Sequence, residues 1–260
     1  MRSCSKKHVQ RSLAAINEIN ELSKGLYHEM HASVDFDFHL EDRGVLMAFK
    51  TSKAEKSEYS VMQAAQDLGL DVSLLGVEEV NRLQPGIQMN IAGAYHYRCD
   101  AHSTPEVFMN QLKKNTLKSG FEIHTETTVK NFQVRGDRIS TVVTDRGNFE
   151  AEEVVFAAGA WTEELLKPLK IILSVQAGKG YRINVEARTG ISLPCILMES
   201  KVGVTPMQGF TRFAGTMEIA GINHNIRENR VNAIAHAATQ YYSGLEIDLN
   251  DRKQAKCGLR

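Results

Sequence analysis

The sequence predicts a mixed α/β fold in two lobes, and three observations lead there. Stripes of helical period alternate along the chain with short strand patterns. A chain of 260 residues can bury a large core and tends to divide into two bodies. The segment Glu153-Val154-Val155-Phe156-Ala157-Ala158-Gly159-Ala160-Trp161 reads as a buried strand that enters a tight small-residue turn, and Thr162-Glu163-Glu164 then opens a helix with a hydroxyl and two acids.

The elements follow in order. Residues 7–31 carry Leu13, Ile16, Ile19, Leu22 and Leu26 at three- and four-residue steps, which predicts a helix with one apolar stripe. Val34-Asp35-Phe36-Asp37-Phe38 alternates strictly and predicts a half-buried strand, with a second strand from Gly44 to Phe49. Lys53 to Leu68 returns to helical spacing and stops at Gly69; Val77 to Leu83 is a short helix ended by Pro85-Gly86; Ile91 to Tyr97 is a strand. Ser103-Thr104-Pro105-Glu106 predicts a helix start, with Pro in the first turn and a capping box between Ser103 and Glu106, and that helix ends at Gly120. Phe121–His124, Thr128–Val134 and Arg138–Thr144 then form a meander of short antiparallel strands. Its Arg135-Gly136-Asp137 triplet has the composition of a strand-to-strand turn and needs no adhesion partner. Strands dominate Ile171–Val185 and Cys195–Ala220, and Arg227–Tyr241 is a last helix with Val231, Ile234, Ala235 and Ala238 on one stripe.

Composition narrows the function classes. Lys+Arg and Asp+Glu are both 31, which argues against a nucleic-acid binder. Cys4, Cys99, Cys195 and Cys257 are dispersed and form no CxxC, which fits a reduced, cytoplasmic setting without a cysteine zinc site. His28 and His31 lie three apart on a helix but lack a third ligand, so no metal site is expected. No apolar run is long enough to span a bilayer. The bend at Ala157–Ala160 has two readings. Small side chains there let another body approach the backbone, as α/β proteins do for a nucleotide cofactor, or the bend is an ordinary close-packed turn.

The ordered series of motifs is more specific than any one of them. Asp100-Ala101-His102-Ser103-Thr104-Pro105, the meander, the run ending at Trp161, Lys179-Gly180-Tyr181-Arg182, Arg212-Phe213-Ala214-Gly215-Thr216-Met217-Glu218 and Gly258-Leu259-Arg260 follow one another. Over nearly the whole chain this series resembles the FAD-dependent D-amino-acid dehydrogenase and glycine oxidase family, in particular its bacterial D-amino-acid dehydrogenase branch. Two departures stand out. The sequence contains no GxGxxG, the turn with which the family holds the FAD pyrophosphate, and the family's Pro- and Gly-rich continuation after Gly-Leu-Arg does not follow Arg260. The sequence therefore looks like the middle of a flavoenzyme.

The resemblance implies a two-lobed flavoprotein fold. Residues 99–172 would be the remaining part of the FAD-binding domain, residues 32–98 and 173–257 the substrate domain, and residues 1–31 a bridging helix. It implies hydride transfer from the Cα of a small D-amino acid to flavin, giving a 2-oxo acid and ammonia. The same family includes glycine and sarcosine oxidases, and a non-catalytic fragment unable to hold FAD is the third reading. Arg260 matches the arginine that grips the substrate carboxylate, and a guanidinium suits that role because it makes two parallel charge-assisted bonds; otherwise it is a frayed arginine. Met217 falls where the family lines the substrate pocket, or packs in the core. Tyr181 contacts substrate or is a half-buried strand tyrosine. For FAD, the adenine edge would meet the backbone at Val129, the bend Ala157-Ala158-Gly159-Ala160 would pass close to the dinucleotide, and Trp161 would pack behind it. The electron acceptor would be a quinone or dioxygen. A quinone-linked enzyme would touch a membrane peripherally, and an uncovered sheet edge would favour self-association.

Overall fold

A computed structural model describes residues 5–260; Cys4, one of the dispersed cysteines, lies outside them. The chain begins with α1 (Lys6–Ala32), capped by the Ser5 side chain. Then come β1 (Leu40–Glu41), β2 (Val45–Phe49), α2 (Ser52–Asp67), β3 (Val72–Leu75), α3 (Val77–Leu83), β4 (Gly93–Tyr97) and β5 (His102–Ser103). The middle holds α4 (Pro105–Lys118), β6 (Val129–Arg135), β7 (Arg138–Thr144), β8 (Gly147–Glu150) and α5 (Thr162–Leu166). The last part holds β9 (Lys179–Val185), β10 (Cys195–Leu197), β11 (Val202–Met207), β12 (Phe210–Glu218), α6 (Glu228–Tyr241), α7 (Leu249–Lys253) and β13 (Lys256–Leu259).

Eight strands form one mixed sheet in the order β13-β9-β12-β11-β10-β2-β4-β3. Among the described residues its one parallel pair is β10 with β2, which joins the strands that precede β5 to those that follow α5. Alternation sets the layers. Leu46 and Ala48 point into a core shared with Tyr181, Ile183, Val185, Phe213 and the apolar stripe of α6, where Val231, Ile234 and Ala238 are buried. Phe49 and Tyr95 point the other way, into a second core built on Met62 and Ala65 of α2. The Glu199 carboxylate fixes the junction by accepting from the backbone N–H groups of Lys50 and Thr51 and from the Tyr241 hydroxyl. The meander β6-β7-β8 is a separate three-stranded sheet, and Gly136 takes the left-handed conformation (φ 65°) that its first turn requires.

The sequence reading of a mixed α/β fold holds, and five local expectations need correction. Val34–Phe38 is not a strand: after a turn the chain has no ladder partner among the described residues, Phe38 packs edge-on against Phe108 of α4 and Tyr27 of α1, and Phe36 stacks on Phe108. Phe121–His124 is a loop rather than a strand. Of Ile171–Val185 only Lys179–Val185 is a strand. The capping box at α4 does not form; Thr104 is the N-cap, its hydroxyl accepts from the Gln208 backbone N–H, and Glu106 is drawn away by two arginines. The run at 153–157 is not a buried strand. Among the described residues it has no ladder partner, its chain is irregular up to the 3-10 turn Gly159–Trp161, and Val155 is 88% exposed.

Candidate functional site

The face of β9 and β12 turned away from the α6 core carries a row of polar and small residues. Strand alternation puts Gly180, Arg182 and Asn184 of β9 on that face, paired across with Met217, Ala214 and Arg212 of β12. A bulge between Gly215 and Met217, with Thr216 in a left-handed conformation (φ 52°), resets the alternation so that Met217 rather than Thr216 joins this face. The edge strand β13 continues the ladder to Arg260, whose backbone exchanges hydrogen bonds with Gly178 in both directions (2.6 and 2.9 Å).

Arg260 and Met217 lie over two glycines, and at Gly178 a side chain would crowd the methionine. A Cβ added to Gly178 would come within 3.3 Å of the Met217 sulfur, and one added to Gly180 within 3.5 Å of the Arg260 guanidinium. The guanidinium therefore lies over a strip of backbone with no side chain beneath it. Met217 is 58% exposed beside it, so it lines a surface rather than a core. This pair gives a cation next to a flexible apolar wall, which suits a carboxylate with a small side chain.

Tyr181 faces the other way. It is 2% exposed, in the α6 core, and its hydroxyl donates to Glu218 Oε2 at 2.6 Å. The expectation of a substrate contact is corrected on this point, because one residue of strand separates Tyr181 from the Gly180 face. Behind the sheet, Glu218 also meets the Lys179 ammonium (3.5 Å) and Arg227 (3.3 Å), and Lys179 donates to Asn223 Oδ1 and the Asn225 carbonyl. The Tyr181 hydrogen bond and the two cations hold the Glu218 carboxyl below its ordinary range, while burial and the Glu218 partner push the Tyr181 phenol up. This buried network fixes the ends of β9 and β12, and so the positions of Gly178 and Met217, from below.

Farther along the same face, Glu106 from the first turn of α4 receives Arg182 (2.6 Å) and Arg212 (2.5 Å). Burial works against its ionised form, but the two guanidinium bonds outweigh it and bring the carboxyl to about 2. Arg212 is oriented in turn by Asn184. The cluster docks α4 on the sheet. It was missed in sequence because Glu106 also satisfies the spacing of a cap.

The cofactor candidates form a second group. Val129 opens β6 opposite Thr144, and β6 reaches the irregular run through Phe132, whose ring meets Phe156 edge-on at 5.2 Å. Gly159 has φ 53°, and a Cβ there would meet nothing within 4 Å, so the bend has open space in front of it. Among the described residues, residues 153–158 donate no backbone hydrogen bond. Ala157 is exposed, Ala158 is half-buried, and Ala160 is buried under the bend. Trp161 is 40% exposed and stacks on His224 at 6.1 Å, in the loop that also supplies Asn223 and Asn225 to Lys179. The bend thus reaches the Lys179 end of β9 from behind the sheet, while Arg260 and Met217 lie on the opposite face of the same end. Free backbone donors beside open space fit a polar cofactor lying along the bend. A phosphate-cradling glycine turn is not among these residues; Gly178-Lys179-Gly180 leads into a strand rather than a helix.

A cavity of about 600 Å³ lies elsewhere, between α1, α2 and β4, lined by Lys24, Tyr27, Glu58, Tyr97 and Cys99 among others. His102 and the β1–β5 ribbon also line it, but no residue of the Arg260 face or of the bend at Ala157–Ala160 does. Among the described residues no helix is long and apolar enough to cross a membrane.

Comparison with known proteins gives the family and the fold. The family model described as DAO, FAD dependent oxidoreductase, matches residues 5–260. A D-amino acid dehydrogenase of Neisseria meningitidis serogroup C is 26% identical over 241 residues, which are 90% of this chain and 58% of that protein. One from Bradyrhizobium diazoefficiens is 24% identical, over 93% of this chain and 59% of that protein. The chain therefore spans under two thirds of the length of these relatives. Among solved structures, glycine oxidase from Geobacillus kaustophilus superposes with a TM-score of 0.78 at 21% identity, covering 92% of this chain and 64% of that one. L-proline dehydrogenase from P. horikoshii superposes with a TM-score of 0.76 at 16% identity, again covering 92% and 64%. With a family match over all the described residues and a common fold, the chain belongs to the DAO family of FAD dependent oxidoreductases.

Proposed function

We propose that this chain orients the substrate in an oxidoreductase that takes a hydride from the Cα of a small D-amino acid as its amine loses a proton, leaving an imine that water hydrolyses to a 2-oxo acid and ammonia. The observation that carries the reading is the Arg260 guanidinium laid over Gly180 beside the Met217 side chain. Arg260 binds the carboxylate in two parallel bonds and fixes its plane, and Met217 adapts to the side chain. When bound, FAD supplies the two-electron acceptor. The bend Ala157–Ala160 and the start of β6 at Val129 would lie along it, with Trp161 behind the bend. Residues 99–172 are then the FAD-side portion, residues 32–98 and 173–257 the substrate portion, and α1 a bridge. Tyr181 supports the site from behind through Glu218.

The test is flavin reduction by D-alanine in FAD-loaded protein with an artificial electron acceptor. Arg260→Ala should raise KM by about a hundredfold, the value of about 3 kcal/mol for a charge-assisted bidentate pair. Failure of every D-amino acid, glycine and sarcosine to reduce the flavin rules the substrate class out.

The likeness to glycine oxidase supports a second reading, a glycine or sarcosine oxidase, in which dioxygen rather than a quinone takes the electrons and peroxide accumulates. A third reading is a non-catalytic unit. The 260 residues contain no GxGxxG, so they should purify colourless on their own; a stoichiometric flavin spectrum would overturn that. The cytoplasmic setting, peripheral membrane contact through a quinone, and self-association belong to the same proposal. For self-association the support is the exposed Ile16, Ile19, Leu22 and Leu26 stripe of α1.

A further inference from the structure

The two-stranded ribbon β1–β5 carries a cluster that the flavin chemistry does not use. Its register sets Glu41 directly across from His102. Alternation puts His39 on the same side as Glu41, two residues before it, while Leu40 and Ser103 point away. His39 Nε2 lies 2.9 Å from Glu41 Oε1, and His102 Nε2 lies 3.9 Å from Glu41 Oε2. The two imidazole rings meet edge-to-face at 5.4 Å. One ligand atom from each of the three residues lies within 4.8 Å of the other two.

We propose that His39, Glu41 and His102 bind one divalent transition-metal ion of the zinc class, through two imidazole nitrogens and a carboxylate oxygen. Two imidazoles and a carboxylate suit zinc, with ligand bonds of about 2.0–2.2 Å, and leave a fourth position open for water. Small side-chain rotations bring atoms at these separations around one ion.

His102 is the observation that a plain hydrogen bond does not explain. Its side chain is 8% exposed, yet neither ring nitrogen has a hydrogen-bond partner. An imidazole always offers at least one N–H, and a neutral one also a lone pair, so burying both nitrogens unpaired is unfavourable, and a metal would take one of them. His39 is already set for ligation. Thr104 Oγ1 lies 3.4 Å from Nδ1 on its outer side, which leaves Nε2 facing the cluster. The next carboxylate, Asp42, is engaged by Lys24 and His28 at 3.2 Å each and is not needed. Because β5 runs into α4, a bound ion would pin the segment after α1 to the start of α4. The sequence pointed to no metal because His102 is remote from the other two ligands and only the ribbon register joins them.

The test uses the full 260-residue chain after stripping with a chelator. Titration with Co²⁺ should give a visible absorption band that saturates at one ion per chain, and Zn²⁺ should displace it. Zn²⁺ should also raise Tm. His102→Ala and His39→Gln should each weaken binding by about tenfold or more and abolish the Tm shift, while His28→Ala should leave both unchanged. If His102→Ala fails to fold, His39→Gln at the more exposed ligand decides the outcome. Absence of stoichiometric binding, binding unchanged in His39→Gln, or binding lost in His28→Ala would each overturn the assignment.

Discussion

The strand β9 and the run at 153–157 start from comparable apolar sequence and end in opposite environments. In β9 every second side chain from Lys179 to Val185 is buried, because β12 and β13 flank it and take up its backbone groups. The run holding Val154, Val155 and Phe156 has no strand beside it among the described residues, and its chain stays irregular and largely open. β-propensity is a preference for a pleated, half-buried surface, and a strand exists only where a neighbour supplies that surface. The same difference separates the two halves of the candidate site. The Arg260 face rests on a complete ladder and a buried ionic network, whereas the bend at Ala157–Ala160 is held chiefly by the Phe132–Phe156 and Trp161–His224 contacts.

The largest effect that can break this comparison is a core deletion. Ile183→Ala on β9, at a fully buried position, should cost about 2–5 kcal/mol in denaturant unfolding. Val155→Ala in the irregular run should stay within about 0.5 kcal/mol. Equal costs would mean that the run is as well packed as β9.

A middle-sized effect sharpens the docking of α4. The Glu106 carboxyl is depressed to about 2, so its contribution is complete above its ordinary range near 4.5 and is lost as pH falls toward about 2. Because that side chain is about half exposed, screening leaves about 1 kcal/mol. Glu106→Gln should therefore be less stable than the parent by about that amount at neutral pH, and the two unfolding curves should converge toward pH 2. A gap that persists in acid would assign the loss to geometry instead of charge.

The smallest effect concerns the wall beside Arg260. Met217→Leu should change stability by less than about 0.5 kcal/mol, since Met217 is more than half exposed, yet should alter the ranking of amino-acid side chains in KM on FAD-loaded protein. A large stability loss with an unaltered ranking would return Met217 to the core reading.

Much of this protein was legible from local pattern. The period of α1, α2 and α6, the stop of α2 at Gly69, the short helix Val77–Leu83 and the Gly136 turn all follow from side-chain spacing and backbone sterics, which act within a few residues. The ordered motifs also carried the family. Distant partners decided the rest. Glu106 fits a cap in the sequence, and only the arrival of Arg182 and Arg212 made it a docking carboxylate. Tyr181 and Met217 belong to motifs that look equally fit for a pocket, and one bulge at Gly215–Met217 put them on opposite faces. His39, Glu41 and His102 became neighbours through a two-residue ribbon. Sequence fixes the torsional preferences and the spacing of side chains along each element; ladder register and chain return decide which distant groups share a face, and electrostatic and hydrogen-bond energies act only after that choice is made.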